Sequence, residues 1–430
     1  MWFLYEFLLI LAFLLYLPKA IWRRRLPHRG WRMRLGRYGP EVTSRLAGRR
    51  AVWIHAVSVG EVLACRPLIR ALAERAPHHP VVLSTITPSG FSVAAKQVGE
   101  LGVPVYFPLD LRLCVNRALE TLRPRVLLLV ESELWPMVIR LTKARGIPVV
   151  VVNGRVSPRT FHRYRRITPW LTQLVGTIKL FLMQSEADAA RIIELGAPRE
   201  HVRVVGSLKW DASVGTRPRP DIVQATARQL GLNGTERVIV AGSTHRGEEA
   251  AVLDAFANLR QVDARLRLII APRHLERLGD VEALVLERGL TVKRCSQAEP
   301  SKFWDVGLVD TFGDLPRYYD LAAAVFVGGS LIPHGGQNPL EPAGLGKPVV
   351  FGPSMHNFAD IVQQLLASQA ARQVAAGGEL TTAFKDLLTN SSIAQAMGAR
   401  ARELTERSCG ATTRTLDALR PFLEAAPPTA

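Results

Sequence analysis

The amino-acid sequence predicts an α/β protein in which two parallel-sheet domains follow an N-terminal membrane anchor. Three observations predict this fold class: short β-branched runs alternate with longer amphipathic stretches, the alternation breaks once and restarts, and an apolar run opens the chain. The 430 residues are enough for about two or three domains. With 48% hydrophobic and 21% charged residues, the composition excludes a disordered or low-complexity protein.

Residues 1–22 are predicted to form an uncleaved membrane anchor. Residues 2–17 are apolar apart from Glu6, and an extension to Trp22 reaches the roughly 20 residues of a spanning helix if Lys19 snorkels to the interface. No basic residue precedes this run and no small-residue cleavage site follows it, which argues against a cleaved signal peptide. A buried core helix is the other alternative.

A basic juxtamembrane segment, residues 23–50, follows the anchor. Of the formal net charge of +18, +10 falls within residues 19–50, which hold eleven Lys or Arg and one acid, Glu41. A basic collar beside an apolar segment favours membrane lipids as partners and a cytoplasmic position for the rest of the chain. Nucleic acid is not expected as a partner, because no zinc-finger, RNA-recognition or basic-zipper pattern accompanies the charge.

The first domain is predicted at residues 51–212. Its buried parallel strands are expected at residues 51–57, 81–85, 103–107, 125–130, 147–152, 181–185 and 202–206. Helical patterns separate these strands, as in the amphipathic stretch over residues 60–75. The stretch 213–221, rich in Pro and Arg and without periodicity, is predicted to be a linker.

The second domain is predicted at residues 222–425 and includes closing C-terminal helices. Its strands are expected at residues 237–243, 266–272, 306–311, 323–329 and 348–353. Two such domains usually hold their ligand in the cleft between them, beyond the carboxyl ends of the strands. The polar residues after each strand are therefore the candidates for function.

Two strand ends of the first domain carry carboxylates. Glu61 follows the first strand in an SVGE sequence at a helix start, where the helix dipole should keep it ionised at neutral pH, either as a proton acceptor or as an ordinary helix-stabilising acid. Glu131 and Glu133 follow the fourth strand. Their carboxylates could either orient a charged group in the cleft or cap the next helix, and both interpretations stay open. No metal is expected, because nearby His or Asp ligands, a D-x-D triplet and a C-x-x-C pair are all missing.

Basic residues follow the later strands of the first domain. Five arginines, among them Arg155, Arg159 and Arg163, lie within residues 155–166 and are interleaved with aromatic residues. They suit either phosphate binding by guanidinium groups or a solvated face. Lys209 either meets an anionic substrate or pairs with Asp211.

The most informative stretch of the second domain is residues 335–341, GGQNPLE. A glycine pair and Asn338 lead toward a helix that is expected to begin at Pro339, and exposed amides at such a start bind phosphate. Glu341, in the first turn, is placed to accept hydrogen bonds from ribose hydroxyls. This pattern predicts a nucleotide-like ligand, although its spacing is neither a Walker A nor a G-x-G-x-x-G motif.

Taken together, eight segments in order resemble the Kdo (3-deoxy-D-manno-octulosonic acid) transferases of glycosyltransferase family 30. The segments are WIHAVSVGEVLA (53–64), ESELWP (131–136), NGRVS (153–157), GSLKWD (206–211), GSTHRGEE (242–249), APRH (271–274), VDTFGDL (309–315) and VGGSLIPHGGQNPLEPAG (327–344). The resemblance covers nearly the whole chain. It implies a GT-B fold, with two Rossmann-like domains that bind an acceptor lipid on the first and a donor nucleotide on the second.

The resemblance also implies roles for individual residues. Glu61 matches the proton acceptor, and Glu131 and Lys209 match residues that stabilise the transition state. The residues that match contacts to CMP are Pro272, Arg273, Phe312, Gly313, Asp314, Asn338, Pro339, Leu340 and Glu341. Phe312 and Asp314 stand where the family more usually has Met and Glu.

The implied reaction is the transfer of Kdo from CMP-Kdo to a lipid A precursor, lipid IVA, in lipopolysaccharide biosynthesis at the inner membrane of a Gram-negative cell. It is a single inverting displacement without metal or cofactor, with Glu61 as the base and with Arg155, Arg159 and Arg163 near the acceptor phosphates. Arg273 and helix-start amides near Asn338 would ease departure of the phosphate. Two alternatives remain: a membrane-associated GT-B enzyme that uses a UDP-sugar, and a non-catalytic membrane-tethered nucleotide-binding protein.

Overall fold

The computed structural model describes residues 5–11, 14–15, 30–99, 101–214, 217–297 and 303–424 of the chain. These residues form two compact units. The first contains the described residues up to Ala212 together with those from Cys409 onward, and the second runs from Ser213 to Ser408. Each unit is built around a parallel sheet, as the alternating pattern predicts.

The sheet of the first unit contains seven parallel strands in the order β3-β2-β1-β4-β5-β6-β7. The strands are β1 Val52–His55, β2 Val81–Thr85, β3 Gly102–Tyr106, β4 Val126–Val130, β5 Val149–Gly154, β6 Leu180–Met183 and β7 Val202–Val204. Alternate residues of each strand point into two separate cores: Trp53 enters one, and Val52 and Ile54 enter the other. Because both faces are covered, the strands are almost continuously apolar.

Helices cover the sheet of the first unit on both faces. They are α1 Trp31–Arg34, α2 Pro40–Leu46, α3 Val59–Ala64, α4 Arg66–Arg75, α5 Pro88–Val98, α6 Arg112–Leu122, α7 Pro136–Ala144, α8 Pro158–Arg165, α9 Thr168–Val175, α10 Glu186–Glu194 and α11 Leu208–Val214. The helical pattern predicted over residues 60–75 is confirmed and is divided between two helices, α3 and α4. Two helices meet at Cys65 because Pro67 lacks an amide hydrogen and its ring interrupts the hydrogen-bond ladder.

The sheet of the second unit also contains seven parallel strands, in the order β10-β11-β9-β8-β12-β13-β14. The strands are β8 Arg237–Thr244, β9 Leu266–Pro272, β10 Val292–Arg294, β11 Val306–Leu308, β12 Ala324–Val327, β13 Val349–Phe351 and β14 Ala371–Gln373. No strand was predicted at β10 or β14, the two edge strands. Each has three residues and a charged side chain, too short and too polar to show a strand pattern.

The helices of the second unit are α12 Pro220–Gln229, α13 Glu248–Arg260, α14 Leu278–Leu286, α15 Leu315–Leu321, α16 Leu340–Gly344, α17 Ala359–Ala367, α18 Leu380–Thr389 and α19 Ser391–Ser408. Helices extend into the predicted linker 213–221 from both sides, since α11 ends at Val214 and α12 begins at Pro220. Residues 215–216 between them lie outside the described residues. The linker prediction was therefore wrong at both ends of the segment.

The last helix, α20 Ala411–Glu424, belongs to the first unit and not to the second as predicted. The side chain of Asp211 accepts hydrogen bonds from the backbone N–H groups of Gly410 (2.6 Å) and Thr412 (2.5 Å). At the other end of the helix, Arg125 donates to the carbonyl oxygen of Phe422 (2.9 Å). These long-range contacts were invisible in local sequence, and they give Asp211 a partner other than Lys209.

Each sheet has a topological switch point, a central pair of strands from which successive strands are added toward opposite edges of the sheet. In the first sheet this switch point lies between β1 and β4, and in the second it lies between β8 and β12. Loops that leave two such strands diverge and open a crevice at the carboxyl end of the sheet. Glu61 and Glu131 follow the two switch-point strands of the first unit, so the topology places them at one crevice.

Polar contacts attach residues 5–11, which are helical, to the first unit. Tyr5 donates a hydrogen bond to Asp110 (2.7 Å), and Glu6 accepts one from the backbone of Arg112 (2.6 Å). Among the described residues, no helix combines the length and the apolar character needed to cross a bilayer.

The predicted anchor and basic segment are only partly covered by the structure. Residues 1–4, 12–13 and 16–29 lie outside the described residues. The membrane anchor at residues 1–22 therefore stays a prediction.

Candidate active site

Glu61 lies in the first turn of α3, where the loop after β1 fixes its carboxylate. One oxygen accepts from the backbone N–H of Val57 (2.8 Å) and the other from the hydroxyl of Ser58 (2.8 Å). The Ser58 oxygen in turn accepts from the backbone N–H of Glu61 (3.3 Å), so the pair forms a capping arrangement. Glu61 therefore does stabilise its helix, and any proton transfer adds to that role.

The pKa of Glu61 is raised to about 7, first by burial and next by the negative charge of Glu131. The expectation that the helix dipole keeps this group fully ionised at neutral pH was wrong. Desolvation and a like charge outweigh the dipole and the hydrogen bonds. A carboxylate that titrates near neutral pH is well matched to accept a proton from a hydroxyl group.

Glu131 lies at a strained turn after β4 and forms an ion pair with Lys209. Its backbone adopts a positive φ of 58°, a conformation uncommon for a residue with a side chain. The Lys209 Nζ is 2.9 Å from the Glu131 Oε1, and both side chains are 17% exposed. The structure thus joins two of the three residues predicted to be catalytic. The third residue, Glu61, is close enough for the negative charge of Glu131 to raise its pKa.

Glu133, the other carboxylate of this loop, accepts a hydrogen bond from the indole N–H of Trp135 (3.0 Å). Burial raises its pKa. Pro136 begins α7, in agreement with the alternative that this loop starts a helix. The side chain that caps this helix is Asp110, which accepts hydrogen bonds from the backbone N–H groups of Met137 (3.0 Å) and Val138 (2.8 Å).

Asn153 is a site-forming residue that sequence analysis left without a role. It is fully buried, has a positive φ of 53°, and its side-chain oxygen accepts from the backbone N–H of Leu208 (2.9 Å). Because Leu208 starts α11 and directly precedes Lys209, this bond fixes the helix that carries the lysine. The usable signal was an Asn-Gly pair at the carboxyl end of a buried strand, since Asn tolerates the left-handed conformation.

The arginine-rich segment forms α8 and the turn before it. Arg159 and Arg163 are exposed, whereas Arg155 is partly buried. The aromatic residues Phe161 and Tyr164 pack against the core of the unit. Aromatic rings that are packed inward offer little face to stacked bases, so the arrangement suits phosphate binding better than single-stranded nucleic acid.

In the second unit, the buried carboxylate of Glu248 organises the loops at the switch point. It accepts four backbone hydrogen bonds, one from His245 (2.9 Å) and three from the loop after β12: Gly329 (2.6 Å), Ser330 (2.9 Å) and Leu331 (2.9 Å). The side chain has no solvent exposure. Glu248 therefore ties the loop after β8 to the loop after β12.

The predicted donor-binding residues lie after several strands of this sheet. Pro272 ends β9, and the Arg273 guanidinium lies 5.9 Å from the centre of the Phe312 ring, which is 71% exposed. Gly313 has a φ of 91°, a conformation that favours glycine. Asp314 pairs with Arg317 at 2.9 Å, which leaves less of its carboxylate for a ligand than predicted.

Asn338 and Glu341 are held together at the start of α16. The Asn338 side chain accepts from the backbone N–H of Leu340 (3.1 Å) and donates to Glu341 (3.2 Å). Burial raises the pKa of Glu341, while the Asn338 hydrogen bond and the charge of Arg273 oppose that rise. The helix has five residues and begins at Leu340, one residue later than predicted, with Pro339 just before it.

The backbone amides of Gly335, Gly336 and Gln337 in the glycine loop are already engaged, while the phosphate site predicted at the helix start near Asn338 stays a prediction. The backbone N–H of Gly335 donates to Ser354 Oγ (3.1 Å), that of Gly336 to the Gly329 carbonyl (2.8 Å), and that of Gln337 to the Gly328 carbonyl (3.0 Å). These bonds fold the loop back onto the end of β12. A phosphate at this loop needs donors other than these three amides.

Three histidines that carried no predicted role meet beside this loop. The ring centres of His245 and His334 are 4.1 Å apart, and those of His245 and His274 are 5.7 Å apart. Burial, followed by the neighbouring histidines and arginines, lowers the pKa of His245 to about 4. His245 and His274 each follow a strand, which is the usual position of functional residues in an α/β protein. Nothing in the local sequence indicates that the three rings converge.

No three His, Cys, Asp or Glu side chains in the part of the chain that the structure describes are grouped so as to hold a metal ion. The expectation of metal-independent chemistry is not tested by this observation and stays a prediction.

Comparison with known proteins identifies relatives along almost the whole chain. The family described as "3-Deoxy-D-manno-octulosonic-acid transferase (kdotransferase)" matches residues 29–212. The 3-deoxy-D-manno-octulosonic acid transferase of Haemophilus influenzae is 33% identical over 398 residues, 92% of each chain. That of Bordetella pertussis is 33% identical over 419 residues, 94% of this chain and 95% of the relative.

Solved structures show the same fold at low sequence identity. A putative UDP-N-acetylglucosamine 2-epimerase from Listeria monocytogenes is similar with a TM-score of 0.60 and 13% identity, over 88% of this chain and 98% of its own. A glycosyltransferase from Rickettsia africae gives a TM-score of 0.58 at 10% identity, over 88% of this chain and 100% of its own. These likenesses concern the fold alone, two Rossmann-like units in one chain as in GT-B proteins.

Proposed function

The chain belongs to the 3-deoxy-D-manno-octulosonic acid (Kdo) transferases, glycosyltransferases of lipopolysaccharide biosynthesis, and we propose that it transfers Kdo from CMP-Kdo to a lipid A precursor, lipid IVA. The observation that carries the proposal is the group formed by Glu61 and the Glu131–Lys209 ion pair at the switch point of the first unit. It combines a carboxylate whose pKa is near neutral with a fixed cation.

In the proposed reaction, a glucosamine hydroxyl of the acceptor attacks the anomeric carbon of Kdo. The new C–O bond forms as the bond from that carbon to the CMP phosphate oxygen breaks, and the electron pair leaves with CMP. The hydroxyl proton passes to Glu61, which must therefore be ionised beforehand. Since the leaving group is already activated, the step needs neither a covalent intermediate nor a metal, and it inverts the anomeric centre.

Lys209 and Glu131 support the same step electrostatically. The Lys209 ammonium compensates negative charge on the sugar carboxylate or on the departing phosphate, and Glu131 holds that ammonium in place at 2.9 Å. The charge of Glu131 also raises the pKa of Glu61, so it strengthens the base. One ion pair would thereby serve both the nucleophile and the leaving group.

Donor binding is proposed for the second unit. Arg273 and the exposed Phe312 offer a charged and an aromatic surface. The partly buried Glu341 carboxylate beside Asn338 offers hydrogen-bond acceptors for ribose hydroxyls. These features follow strands at the carboxyl edge of the sheet, where α/β proteins bind nucleotides.

The acceptor is proposed to reach the first unit from the inner membrane. Arg159 and Arg163 expose their guanidinium groups on α8 and, with Arg155, are placed to bind lipid phosphates. The apolar N-terminal segment and its basic collar support attachment to the cytoplasmic leaflet, and within that segment Phe7 is 61% exposed.

The test is a transfer assay with the full-length chain, CMP-Kdo generated in situ and tetra-acylated lipid A precursor. The expected result is a product heavier by one or more Kdo residues, with release of CMP. The Glu61→Gln variant serves as the matched control and should yield far less product. Release of UDP from a UDP-sugar donor, or nucleotide binding without any turnover, would contradict the proposal in favour of the two alternative functions.

A further inference from the structure

Three histidines converge on the switch point of the second sheet from three adjacent strands. His274 follows β9, His245 follows β8, and His334 lies in the loop after β12. These strands are neighbours in the sheet, in the order β9-β8-β12. The parallel topology therefore brings three imidazoles from distant parts of the sequence to one edge.

The central histidine, His245, is held in place from two sides. Its backbone N–H donates to the buried carboxylate of Glu248 (2.9 Å), and its Nε2 lies 3.0 Å from the amide nitrogen of Gln337. The residue is 7% exposed. When Nε2 accepts from the amide, the neutral ring carries its proton on Nδ1, which makes no hydrogen bond to any described residue.

The outer two histidines also keep nitrogen atoms available. The imidazole of His334 makes no hydrogen bond within the described part of the chain, and its ring centre is 4.1 Å from that of His245. The ring of His274 is 5.7 Å from His245, and its Nδ1 faces Glu276 at 3.5 Å. The cluster thus presents several N–H donors from three loops.

The charge around His245 is positive. His334, His274, Arg273 and Arg277 all lower its pKa, as positive neighbours do. The carboxylates of Glu248 and Glu249 behind it are committed, the first to four backbone amides and the second to Arg277 at 2.8 Å. An anion that entered the cluster would meet N–H donors and cations, and the carboxylate that faces it directly is that of Glu276, 3.5 Å from His274 Nδ1.

We propose that His245, His274 and His334, together with Gln337, form the subsite for the phosphate group of the nucleotide. This inference rests on the proposed function, because it assumes a nucleoside monophosphate donor. The glycine-loop amides of Gly335, Gly336 and Gln337 are used inside the loop, so donors from neighbouring loops are needed for the phosphate. As the glycosidic bond breaks, the phosphate gains one negative charge, and imidazole donors stabilise that charge.

The experiment compares CMP with cytidine, which lacks the phosphate, by calorimetry on the full-length chain. The wild-type protein is expected to prefer CMP. The variants His245→Asn and His334→Asn should each reduce that preference, by about 10-fold or more for His245, and leave the cytidine affinity unchanged. His78→Asn, which alters an exposed histidine of the first unit, should keep the full preference.

The outcomes separate the subsite from the function. Wild-type-like preference for CMP in both variants would overturn the phosphate subsite while the transfer assay could still succeed. Equal weakening of CMP and cytidine would show a structural role for the histidines and would also overturn the subsite. A wild-type protein that does not prefer CMP over cytidine would overturn the donor assignment together with the subsite. Because His334 is exposed, its variant keeps the test valid even if His245→Asn does not fold.

Discussion

Glu61 and Glu248 occupy corresponding places in the two units but have different tasks. Each lies in the first turn of the helix that follows the first switch-point strand of its sheet. Glu248 has no exposure and accepts four backbone hydrogen bonds, whereas Glu61 is partly exposed and accepts one backbone and one hydroxyl hydrogen bond. The same position is thus used for architecture in one unit and for chemistry in the other.

The difference shows what makes a first-turn carboxylate reactive. A carboxylate that is saturated by amide donors is held as the acceptor for a whole loop and cannot also accept a proton without loss of that structure. Burial, and next the negative charge of Glu131, raise the pKa of Glu61 to about 7, and its two hydrogen-bond donors are too few to cancel that rise. The number of donors and the sign of the neighbouring charge, rather than the position on the helix, separate the two roles.

The largest expected effect is the loss of transfer rate in the Glu61→Gln variant. The glutamine keeps the volume and a hydrogen-bond acceptor but cannot take the proton, so the rate of transfer should fall by about 10²–10⁴-fold. Steady-state kinetics with CMP-Kdo and lipid IVA measure the loss, and unchanged CMP affinity shows that the second unit is intact. Turnover near the wild-type value would remove Glu61 as the base and make Glu131 the next candidate.

Glu248→Gln should act on stability instead. The amide NH₂ group cannot accept hydrogen bonds, so at least two buried N–H groups lose their acceptor, at a cost of about 2–5 kcal/mol in the free energy of unfolding. Urea denaturation measures this cost. Asp254→Asn is the matched control, because it removes a 63%-exposed acid from the same helix and should cost less than about 1 kcal/mol. Equal stability of the two variants would contradict the architectural role of Glu248.

Glu341→Ala tests a third carboxylate, which is partly buried and is assigned to ligand binding. Loss of its contacts to ribose should weaken CMP binding by about 1.5–3 kcal/mol, the typical value for a charge-assisted hydrogen bond. Calorimetric titration with CMP gives the change in affinity. If a folded variant binds CMP as tightly as the wild-type chain does, the ribose role is wrong.

The smallest effect concerns the pH dependence of the reaction. Because Glu61 acts in its ionised form and has a pKa of about 7, the wild-type rate should rise with pH and level off above about 7. Glu131→Gln removes the negative charge that raises this pKa, so the midpoint should move to lower pH, by up to about one unit. The readout is the midpoint of kcat/KM against pH. An upward or absent shift would show that Glu131 does not tune the base.

The local sequence predicted where the strands end, but it did not predict which side chains at those ends contact one another. Glu131 and Lys209 were candidates because of their places after strands, and the family resemblance implied their catalytic roles. Lys209 was expected to meet an anionic substrate or Asp211, and the structure pairs it with Glu131. Asp211 instead binds the start of α20. Both partners are distant in sequence, so no periodicity or spacing could have indicated either contact.

What the sequence determined by itself is the alternation that builds two parallel sheets and the positions of most strands. It could do so because burial on both faces requires continuous apolar runs, and such runs are local. The tertiary structure alone decided the near-neutral pKa of Glu61, the internal use of the glycine-loop amides, the meeting of three histidines and the return of α20 to the first unit. Desolvation, charge and hydrogen-bond partners come from residues that only folding brings together, and these decide what each strand end can do.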